Sequence, residues 1–341
     1  MAKIFITGGT GCIGAAAVNT LLTQYDSQVE SIAIASRTGD RALLNIWLAD
    51  RLDELVRSGR IQFVSVDIGD SAALTAELKK FAPTHIIHLG ALQSPACDAD
   101  PVLGVDINTS GTINLFRAAE EISPKLERFV FASSAAVYGK RASYPQDIIS
   151  EDVVLAPPNY YGVWKVAGEH LAALFHERSG IATVSLRLNT TFGPGRDRGK
   201  TSAPTVALKS IALGSENDAA AAFRMPYQGR ENYHYVEDVG AHFAGVCMLP
   251  FEGCEPFNIK GKTIPVSEFL NLAAEVAGEL GMQQVDLGIE PEAAPNLFIC
   301  DLDHTKVDRA FPGLPQTEIK DGIRKSLEMF REFAKAGTLE L

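Results

Sequence analysis

Runs of consecutive apolar residues alternate with amphipathic segments through the first 190 residues of the chain. The apolar runs cover residues 3–7, 31–35, 61–66, 85–89, 128–132 and 183–188. They are continuous rather than alternating, which is typical of strands buried on both faces of a parallel sheet. The segments between them have helical periodicity and cover residues 14–24, 41–58, 71–81, 109–121 and 161–178. This alternation predicts βαβ units and an α/β fold with a doubly wound parallel sheet.

The rhythm becomes irregular after residue 193, where the chain reads Gly-Pro-Gly. Later patterns predict helices over residues 204–213, 265–279 and 321–333, and a strand over residues 256–259. We therefore expect a large domain of residues 1–190 and a smaller substrate-binding domain of residues 191–341. Some segments of the second part are expected to return to the large domain.

The chain has 341 residues, a hydrophobic content of 46% and a formal net charge of −11. This negative charge opposes binding to nucleic acid or to an anionic membrane surface. The sequence has no apolar stretch of the roughly 20 residues that cross a bilayer, and it begins without a signal-peptide pattern. The five cysteines are scattered and form no C-x-x-C pair, as is typical of thiols in a reduced protein. We expect a cytoplasmic protein with no nucleic-acid or membrane partner.

A glycine cluster follows the first predicted strand: residues 7–14 read TGGTGCIG. Glycine permits positive φ in a tight turn and lets the backbone approach a pyrophosphate, and the following helix N-terminus offers unpaired N–H groups to the anion. A P-loop is excluded because no Gly-Lys-Ser/Thr follows. The pattern predicts a dinucleotide site whose loop residues are Gly8, Thr10, Gly11, Cys12, Ile13 and Gly14.

The end of the second predicted strand indicates which dinucleotide binds. An acidic residue there would bind the adenosine ribose hydroxyls, whereas arginine would pair with a 2′-phosphate. The chain has Ser36 and Arg37 at this point, while Asp26 and Glu30 come too early. This favours NADP over NAD. Asp67 and Ile68, after the third strand, are expected to flank the adenine ring.

Five motifs occur together in order: the glycine cluster, VD at 66–67, HLGA at 88–91, SSAAVYG at 133–139 and YGVWK at 161–165. Together they resemble the extended short-chain dehydrogenase/reductase family, which includes NAD-dependent sugar epimerases and dehydratases. The resemblance implies a Rossmann-type fold and a Ser-Tyr-Lys active site. It also implies a homodimer packed through the helix after Asn108 and the helix that bears Tyr161. The residues that it assigns to the cofactor are Leu89, Gly90, Ala91, Asn108, Tyr161 and Lys165, and those that it assigns to catalysis are Ser134, Tyr161 and Lys165.

The spacing of Tyr161 and Lys165 supports this assignment independently. Residues four apart share one face of a helix. A tyrosine that acts as a base near neutral pH needs its pKa lowered from about 10 by roughly 3 units, or about 4 kcal/mol. A lysine ammonium one turn away, together with a positively charged nicotinamide ring, favours the phenolate. Tyr160 is the competitor, but its i+4 residue is Trp164, which carries no charge.

The substrate region departs from the pattern of the nucleotide-sugar epimerases. Thr190 occupies the position where those enzymes commonly carry an asparagine that helps to hold the substrate diphosphate, and Glu231 occupies that of an arginine. A carboxylate that faced a diphosphate would repel it. Residues 195–202 carry three cations and two hydroxyls, a composition that suits a carboxylate or phosphate on a small substrate. The candidate substrate-binding residues are Ser134, Ala135, Thr190, Arg198 and Thr201.

The sequence leaves three hypotheses for the activity. The favoured one is an NAD(P)-dependent oxidoreductase that moves hydride between a secondary alcohol (a sugar, sugar acid or similar small hydroxy compound) and nicotinamide. The second is a nucleotide-sugar epimerase, and the third is a non-catalytic NADP-sensing protein.

The seven histidines show no ligand spacing, so we expect no metal site, and His234 is interpreted as a structural histidine. Apolar residues beyond one stripe on the two dimer helices are compatible with the homodimer, namely Ile113, Leu115, Phe116, Leu171, Leu174 and Phe175.

Overall fold

The central sheet is built from seven parallel strands. The structure, a computed structural model, describes residues 1–122, 125–217, 222–296 and 299–341. The strands of the sheet are β1 (Ala2–Thr7), β2 (Val29–Ser36), β3 (Ile61–Ser65), β4 (His85–His88), β5 (Arg128–Ser134), β6 (Ala182–Leu188) and β10 (Cys254–Asn258). Their order is β10-β6-β5-β4-β1-β2-β3. Strands β2 and β3 lie on one side of β1, and β4 and the later strands lie on the other, so the strand order reverses between β1 and β4. Ligands bind in the crevice at such a point. The predicted α/β fold of Rossmann type is confirmed.

Helices cover both faces of this sheet. Those of the first half are α1 (Cys12–Gln24), α2 (Ala42–Leu48), α3 (Arg51–Arg57), α4 (Ser71–Phe81), α5 (Ser94–Ala99), α6 (Pro101–Val105), α7 (Gly111–Ile122) and α8 (Tyr160–Ser179). Strand β1 shows the two-sided burial, because Ile4 and Ile6 pack into one apolar cluster and Phe5 into the other. Within the described residues, no helix is long and apolar enough to cross a membrane.

Two of the predicted helices differ from the observed elements. The helix predicted over residues 41–58 is broken into α2 and α3 at Ala49, which has a φ of 44°. Leu44, Leu48 and Leu52 keep the same periodicity across the break, so the sequence pattern contains no signal for it. The helix predicted over residues 109–121 starts earlier: α6 runs without a break into a π-helical turn, Asp106–Ser110, that leads into α7.

The second half of the chain adds two small sheets and further helices. Its helices are α9 (Ala203–Asn217), α10 (Val236–Met248), α11 (Val266–Glu279), α12 (Thr305–Ala310) and α13 (Ile319–Lys335). Its strands outside the central sheet are β7 (Thr190–Phe192), β8 (Ala222–Met225), β9 (Arg230–Tyr235), β11 (Lys262–Pro265) and β12 (Asp286–Ile289). They form a sheet of order β11-β9-β7 and a two-stranded sheet of β12 and β8. The predicted helices correspond to α9, α11 and α13, and the predicted strand corresponds to β10, which pairs with β6. The boundary at residue 190 stays a prediction.

Helix α10 escapes sequence-based prediction because it is buried nearly all round. Eleven of its 13 residues are buried, so it has no polar stripe to mark a helical period.

The apolar residues of the two proposed dimer helices divide between core and surface. Leu115, Phe116 and Phe175 are buried in the core of the sheet's second face, so they give no support to an interface between subunits. Leu174 and Val163 on α8 are exposed. The dimer stays a prediction that rests on the resemblance and on these two exposed side chains.

Candidate active site

The carboxyl ends of β1, β4, β5 and β6 open into a single cleft of about 670 Å³. This volume lies in the range of small-molecule and cofactor sites. Most of the residues selected from the sequence line the cleft. They are Gly8, Thr10, Gly11, Cys12, Ile13, Gly14, Ser36, Arg37, Asp67, Ile68, Leu89, Gly90, Ala91, Ser134, Tyr161, Lys165, Arg198 and Thr201.

The glycine loop forms one wall of the cleft. Gly8 has a φ of +69°, and a Cβ on Gly14 would lie 2.6 Å from the carbonyl oxygen of Gly8. A side chain at Gly14 would therefore collide with the backbone of the loop, so glycine lets α1 pack directly against it. Gly11 is the N-cap of α1 and supplies no side-chain hydrogen bond, so the first-turn N–H groups of α1 face the cleft uncapped. This arrangement fits the pyrophosphate of a dinucleotide.

The ends of β2 and β3 form the far end of the cleft. Ser36 Oγ accepts a hydrogen bond from the Gly39 N–H at 2.8 Å, which closes a tight turn around Arg37. Arg37 is exposed and forms no ion pair with the described residues. Asp67 accepts a hydrogen bond from the Gly69 N–H at 2.8 Å. The turn after β2 thus presents a cation, and that after β3 an anchored carboxylate.

Asn108 lies outside the cleft lining and acts on it through the loop after β4. The π-helical turn buries Asn108, whose Oδ1 accepts from the Leu92 N–H at 2.7 Å and whose Nδ2 donates to the Leu92 carbonyl at 2.9 Å. Nδ2 also lies 3.3 Å from the sulfur of Cys97. Asn108 therefore fixes the backbone beside Leu89–Ala91 rather than contacting a ligand in the cleft itself.

Ser134, Tyr161 and Lys165 come together at the centre of the cleft. Ser134 ends β5, and its Oγ accepts from the Ala136 N–H at 3.1 Å. Lys165 is buried, and its Nζ donates to the Ala132 carbonyl at 2.7 Å. The same Nζ lies 5.4 Å from the centroid of the Tyr161 ring. The structure thus brings together the three residues that the sequence selects for catalysis.

Helix α8 can approach β5 because two features fix its first turn. Asn159 is the N-cap, and its side chain accepts from the Gly162 N–H at 2.9 Å. A Cβ on Gly162 would lie 2.2 Å from the carbonyl oxygen of Ala136, so only glycine permits this contact. The turn that carries Tyr161 therefore lies directly against the segment that follows Ser134.

The ionisation of Tyr161 differs from the expectation. Burial raises the pKa of Tyr161 to about 12, although hydrogen bonding with Ser134 and the charge of Arg196 lower it. Burial also lowers the pKa of Lys165 to about 8. In the protein alone, desolvation of the phenolate outweighs the favourable charges. The lowering expected from Lys165 together with a positively charged nicotinamide ring stays a prediction. Tyr161 is a protonated, hydrogen-bond-donating group at neutral pH.

The segment of residues 196–201 also lines the cleft and supplies cations. Arg198 and Thr201, the candidate substrate-binding residues of this loop, line the cleft, and Arg196 is the cation that acts on Tyr161. Arg196 donates to Thr201 Oγ1 at 2.8 Å and to the Arg198 carbonyl at 2.6 Å, so the loop orients its guanidinium. The cleft also contains residues that the sequence-based selection omits, among them Gln93, Asn189, Arg196, Lys200 and Asn296. The cation-rich composition of the loop indicates Arg196 and Lys200 as candidates, but it does not indicate which of the loop's cations lies near Tyr161.

Thr190 and Glu231 form a buried pair behind the cleft. Thr190 donates to Glu231 Oε2 at 2.5 Å, and both side chains are inaccessible to solvent. Burial raises the pKa of Glu231 to about 7. Neither residue lines the cleft, so the expected repulsion between Glu231 and a diphosphate does not follow from this geometry. Ala135 is likewise buried in a short 3₁₀ turn outside the lining.

His234 is satisfied within the fold. Its Nδ1 lies 2.8 Å from the Lys260 carbonyl, and its Nε2 accepts from the Asn189 N–H at 3.0 Å. Burial lowers the pKa of His234 to about 3, so the ring is neutral. Through Asn189 this histidine fixes the backbone beside the cleft.

Comparison with known proteins agrees with this geometry. The model of the NAD dependent epimerase/dehydratase family matches residues 4–250. The chain is 29% identical to UDP-glucose 4-epimerase of Mycolicibacterium smegmatis, over 96% of this chain and 98% of the relative. It is 24% identical to D-erythronate dehydrogenase of Haemophilus influenzae, over 83% and 85% of the two chains. The crystal structure of Thermus thermophilus UDP-glucose 4-epimerase in complex with NAD superimposes with a TM-score of 0.76, at 26% identity and over 96% and 99% of the chains. The chain therefore belongs to the NAD-dependent epimerase/dehydratase family of extended short-chain dehydrogenase/reductases.

Proposed function

We propose that this protein is an NAD(P)-dependent oxidoreductase that transfers hydride between nicotinamide and a secondary alcohol of a small, negatively charged hydroxy compound such as a sugar acid. The observation that carries the proposal is the meeting of Ser134, Tyr161 and Lys165 with a cationic loop in the cleft that also contains the glycine cradle. Within the family, the substrate range includes both nucleotide sugars and a small hydroxy acid, as the relatives' names indicate.

Tyr161 is assigned the proton transfer. Its hydroxyl is protonated at neutral pH and donates its proton to the substrate oxygen when a carbonyl is reduced. In alcohol oxidation it must accept that proton, which requires added positive charge near the phenolate. Ser134 is assigned a hydrogen bond to the reacting oxygen, and Lys165 supplies positive charge beside the phenol ring. A bound nicotinamide supplies the hydride or accepts it.

The cofactor is proposed to be NADP. Arg37 offers an exposed guanidinium, with no ion pair to the described residues, at the position where a 2′-phosphate would lie after β2. Asp40, which follows this turn, accepts a hydrogen bond from the Ala42 N–H at 2.9 Å, whereas Asp26 precedes β2 and pairs with Arg60 at 2.9 Å. A ribose-binding acid is therefore missing from the described turn. The relative crystallised with NAD shows that the family also uses the unphosphorylated cofactor.

Arg196, Arg198 and Lys200 support an anionic substrate. All three line the cleft. Guanidinium groups bind carboxylates through two parallel hydrogen bonds, which fixes the orientation of a small substrate. Such an anchor holds the hydroxyl-bearing carbon near Tyr161.

A nucleotide-sugar epimerase is the second candidate. It is favoured by the similarity to UDP-glucose 4-epimerase over nearly the whole chain. The burial of Glu231 also removes one objection to a diphosphate, and the cationic loop suits a diphosphate as well as a carboxylate.

Turnover assays separate the two candidates. Purified protein is incubated with each reduced cofactor and a panel of keto acids and keto sugars, and nicotinamide absorbance is followed. In parallel, UDP-glucose and UDP-galactose are tested for interconversion. The proposal predicts net cofactor oxidation with a keto acid, and a loss of about 10²- to 10⁴-fold in the Tyr161→Phe variant. Tyr160→Phe, one residue earlier on the same helix, is the matched control and retains activity. Interconversion of the UDP-sugars without net redox change would establish the epimerase instead.

A further inference from the structure

Helix α8 carries a third buried polar side chain, Glu169, one turn beyond Lys165. Its carboxylate accepts from Arg187 Nε at 2.8 Å and from Arg187 Nη2 at 2.7 Å. It also accepts a hydrogen bond from the hydroxyl of Ser133. The side chains of Arg187 and Glu169 are only 2% and 8% exposed, so solvent does not screen this pair.

The three bonds join the elements that form the catalytic centre. Ser133 directly precedes Ser134 at the end of β5, and Arg187 lies on the neighbouring strand β6. Arg187 is itself held by the hydroxyl of Tyr138 at 2.8 Å and by the Glu151 carbonyl at 3.1 Å. Glu169 therefore fixes α8 against the ends of β5 and β6, next to Ser134 and one helical turn from Lys165.

Glu169 is also the negative charge that acts on Lys165 at neutral pH. Among the described residues, the titratable groups that interact with Lys165 include Cys97, His88, Tyr161 and Glu169. Burial raises the pKa of Cys97 and Tyr161 and lowers that of His88 to about 3, so all three are neutral near pH 7. Cys97 and Glu169 both favour the ammonium form, but only the carboxylate carries charge in this range.

We propose that Glu169 is a positioning residue of this site: its carboxylate places a negative charge one helical turn from Lys165, and its bond to Ser133 fixes the strand end that presents Ser134. The inference rests on the proposed roles of Tyr161 and Lys165. Replacing a buried ion pair by apolar residues of the same volume is often neutral or stabilising, so the pair by itself is weak evidence of a stabilising role. Its position within one turn of Lys165 gives it a role in the site.

The test is an NMR titration that requires no turnover. Protein labelled at the lysine ε-carbons is titrated, and the Lys165 signal is assigned by its absence in Lys165→Met. We expect the Lys165 midpoint in Glu169→Gln to fall below that of the unmodified protein by about one pH unit, because a buried charge at this range has effects of that order. Glu169→Asp keeps the charge and restores the midpoint. Glu177→Gln, exposed on the same helix, is the control and leaves it unchanged.

A second variant preserves the test if Glu169→Gln does not fold. Glu169→Leu combined with Arg187→Met removes both charges and leaves no unpaired ion. It is expected to lower the Lys165 midpoint by less than Glu169→Gln does, because loss of the Arg187 charge partly offsets loss of the carboxylate. Midpoints unchanged in both variants would overturn the proposal, because a purely structural pair leaves the lysine unaffected.

Activity measurements then distinguish a failure of this inference from a failure of the proposed function. In Glu169→Gln the fall of kcat with rising pH is expected to move to lower pH, in step with the NMR midpoint. If Tyr161→Phe stays active while the midpoint shifts, the proposed function fails and the coupling stands. If Tyr161→Phe is inactive and the midpoint is unmoved, the coupling fails and the proposed function stands.

Discussion

Replacing Lys165 by methionine is expected to stabilise the fold while removing activity. Burial lowers the pKa of Lys165 from 10.5 to about 8. At about 1.4 kcal/mol per pH unit, this fall means that the charged form costs the folded state about 3 kcal/mol at pH 7. The lost hydrogen bond to the Ala132 carbonyl offsets about 1–2 kcal/mol of the gain. Lys165→Met should therefore be more stable by about 1–2 kcal/mol at pH 7.

The stability advantage of Lys165→Met is expected to decrease as the pH rises above about 8. Below pH 8 the lysine is protonated in both the folded and the unfolded states, so the burial cost is fully present. Between the folded pKa of about 8 and the unfolded value of 10.5, the unfolded chain binds a proton that the folded protein does not. Stability of the unmodified protein therefore rises with pH in this window, and the advantage of Lys165→Met shrinks.

Urea denaturation at several pH values between 7 and 10.5 measures both effects. The quantity to compare is the difference in free energy of unfolding between the variant and the unmodified protein, because the contributions of the other titrating groups cancel in this difference. Lys140→Met removes an exposed lysine and should change stability by less than about 0.5 kcal/mol. A Lys165→Met protein that is less stable at pH 7, or an advantage independent of pH, would refute the reasoning from burial.

Three further substitutions test separate parts of the account. Arg37→Ala should weaken NADP binding by about 10- to 100-fold and leave NAD binding unchanged in calorimetry, because only the 2′-phosphate loses a partner; equal losses would make Arg37 a structural residue. Arg196→Ala should raise KM for an anionic substrate by about tenfold or more while KM for a neutral alcohol stays constant, and a loss confined to kcat would contradict an anchoring role. Leu174→Arg, at a side chain 53% exposed on α8, should shift a dimer to monomer in sedimentation, whereas an unmodified protein that sediments as a monomer would exclude the dimer.

The parts of the fold that local pattern determines follow from the sequence. Continuous apolar runs identify the parallel strands, and the glycine loop is recognisable because a strand precedes it and a helix follows. Tyr161 and Lys165 share a helix face by spacing alone. These features depend on residues close together in the chain.

The parts that depend on distant pairing do not follow from it. Thr190 contacts Glu231 because β7 pairs with β9. The two residues are 41 positions apart, and no local sequence pattern predicts that these strands pair. The raised pKa of Tyr161 reflects burial by the surrounding elements, which the i+4 spacing of Lys165 does not reveal. Arg187 illustrates the same limit: its place in the sequence indicates a strand end, and only the fold shows that it pairs with Glu169.

Calorimetric titration of nucleotide-free protein with NADP, NAD and UDP tests the central claim most directly. The account predicts that NADP binds more tightly than NAD, through the added contact of Arg37, and that UDP produces no heat of binding. Clear binding of UDP would contradict the small-substrate oxidoreductase and would make the nucleotide-sugar epimerase the better assignment.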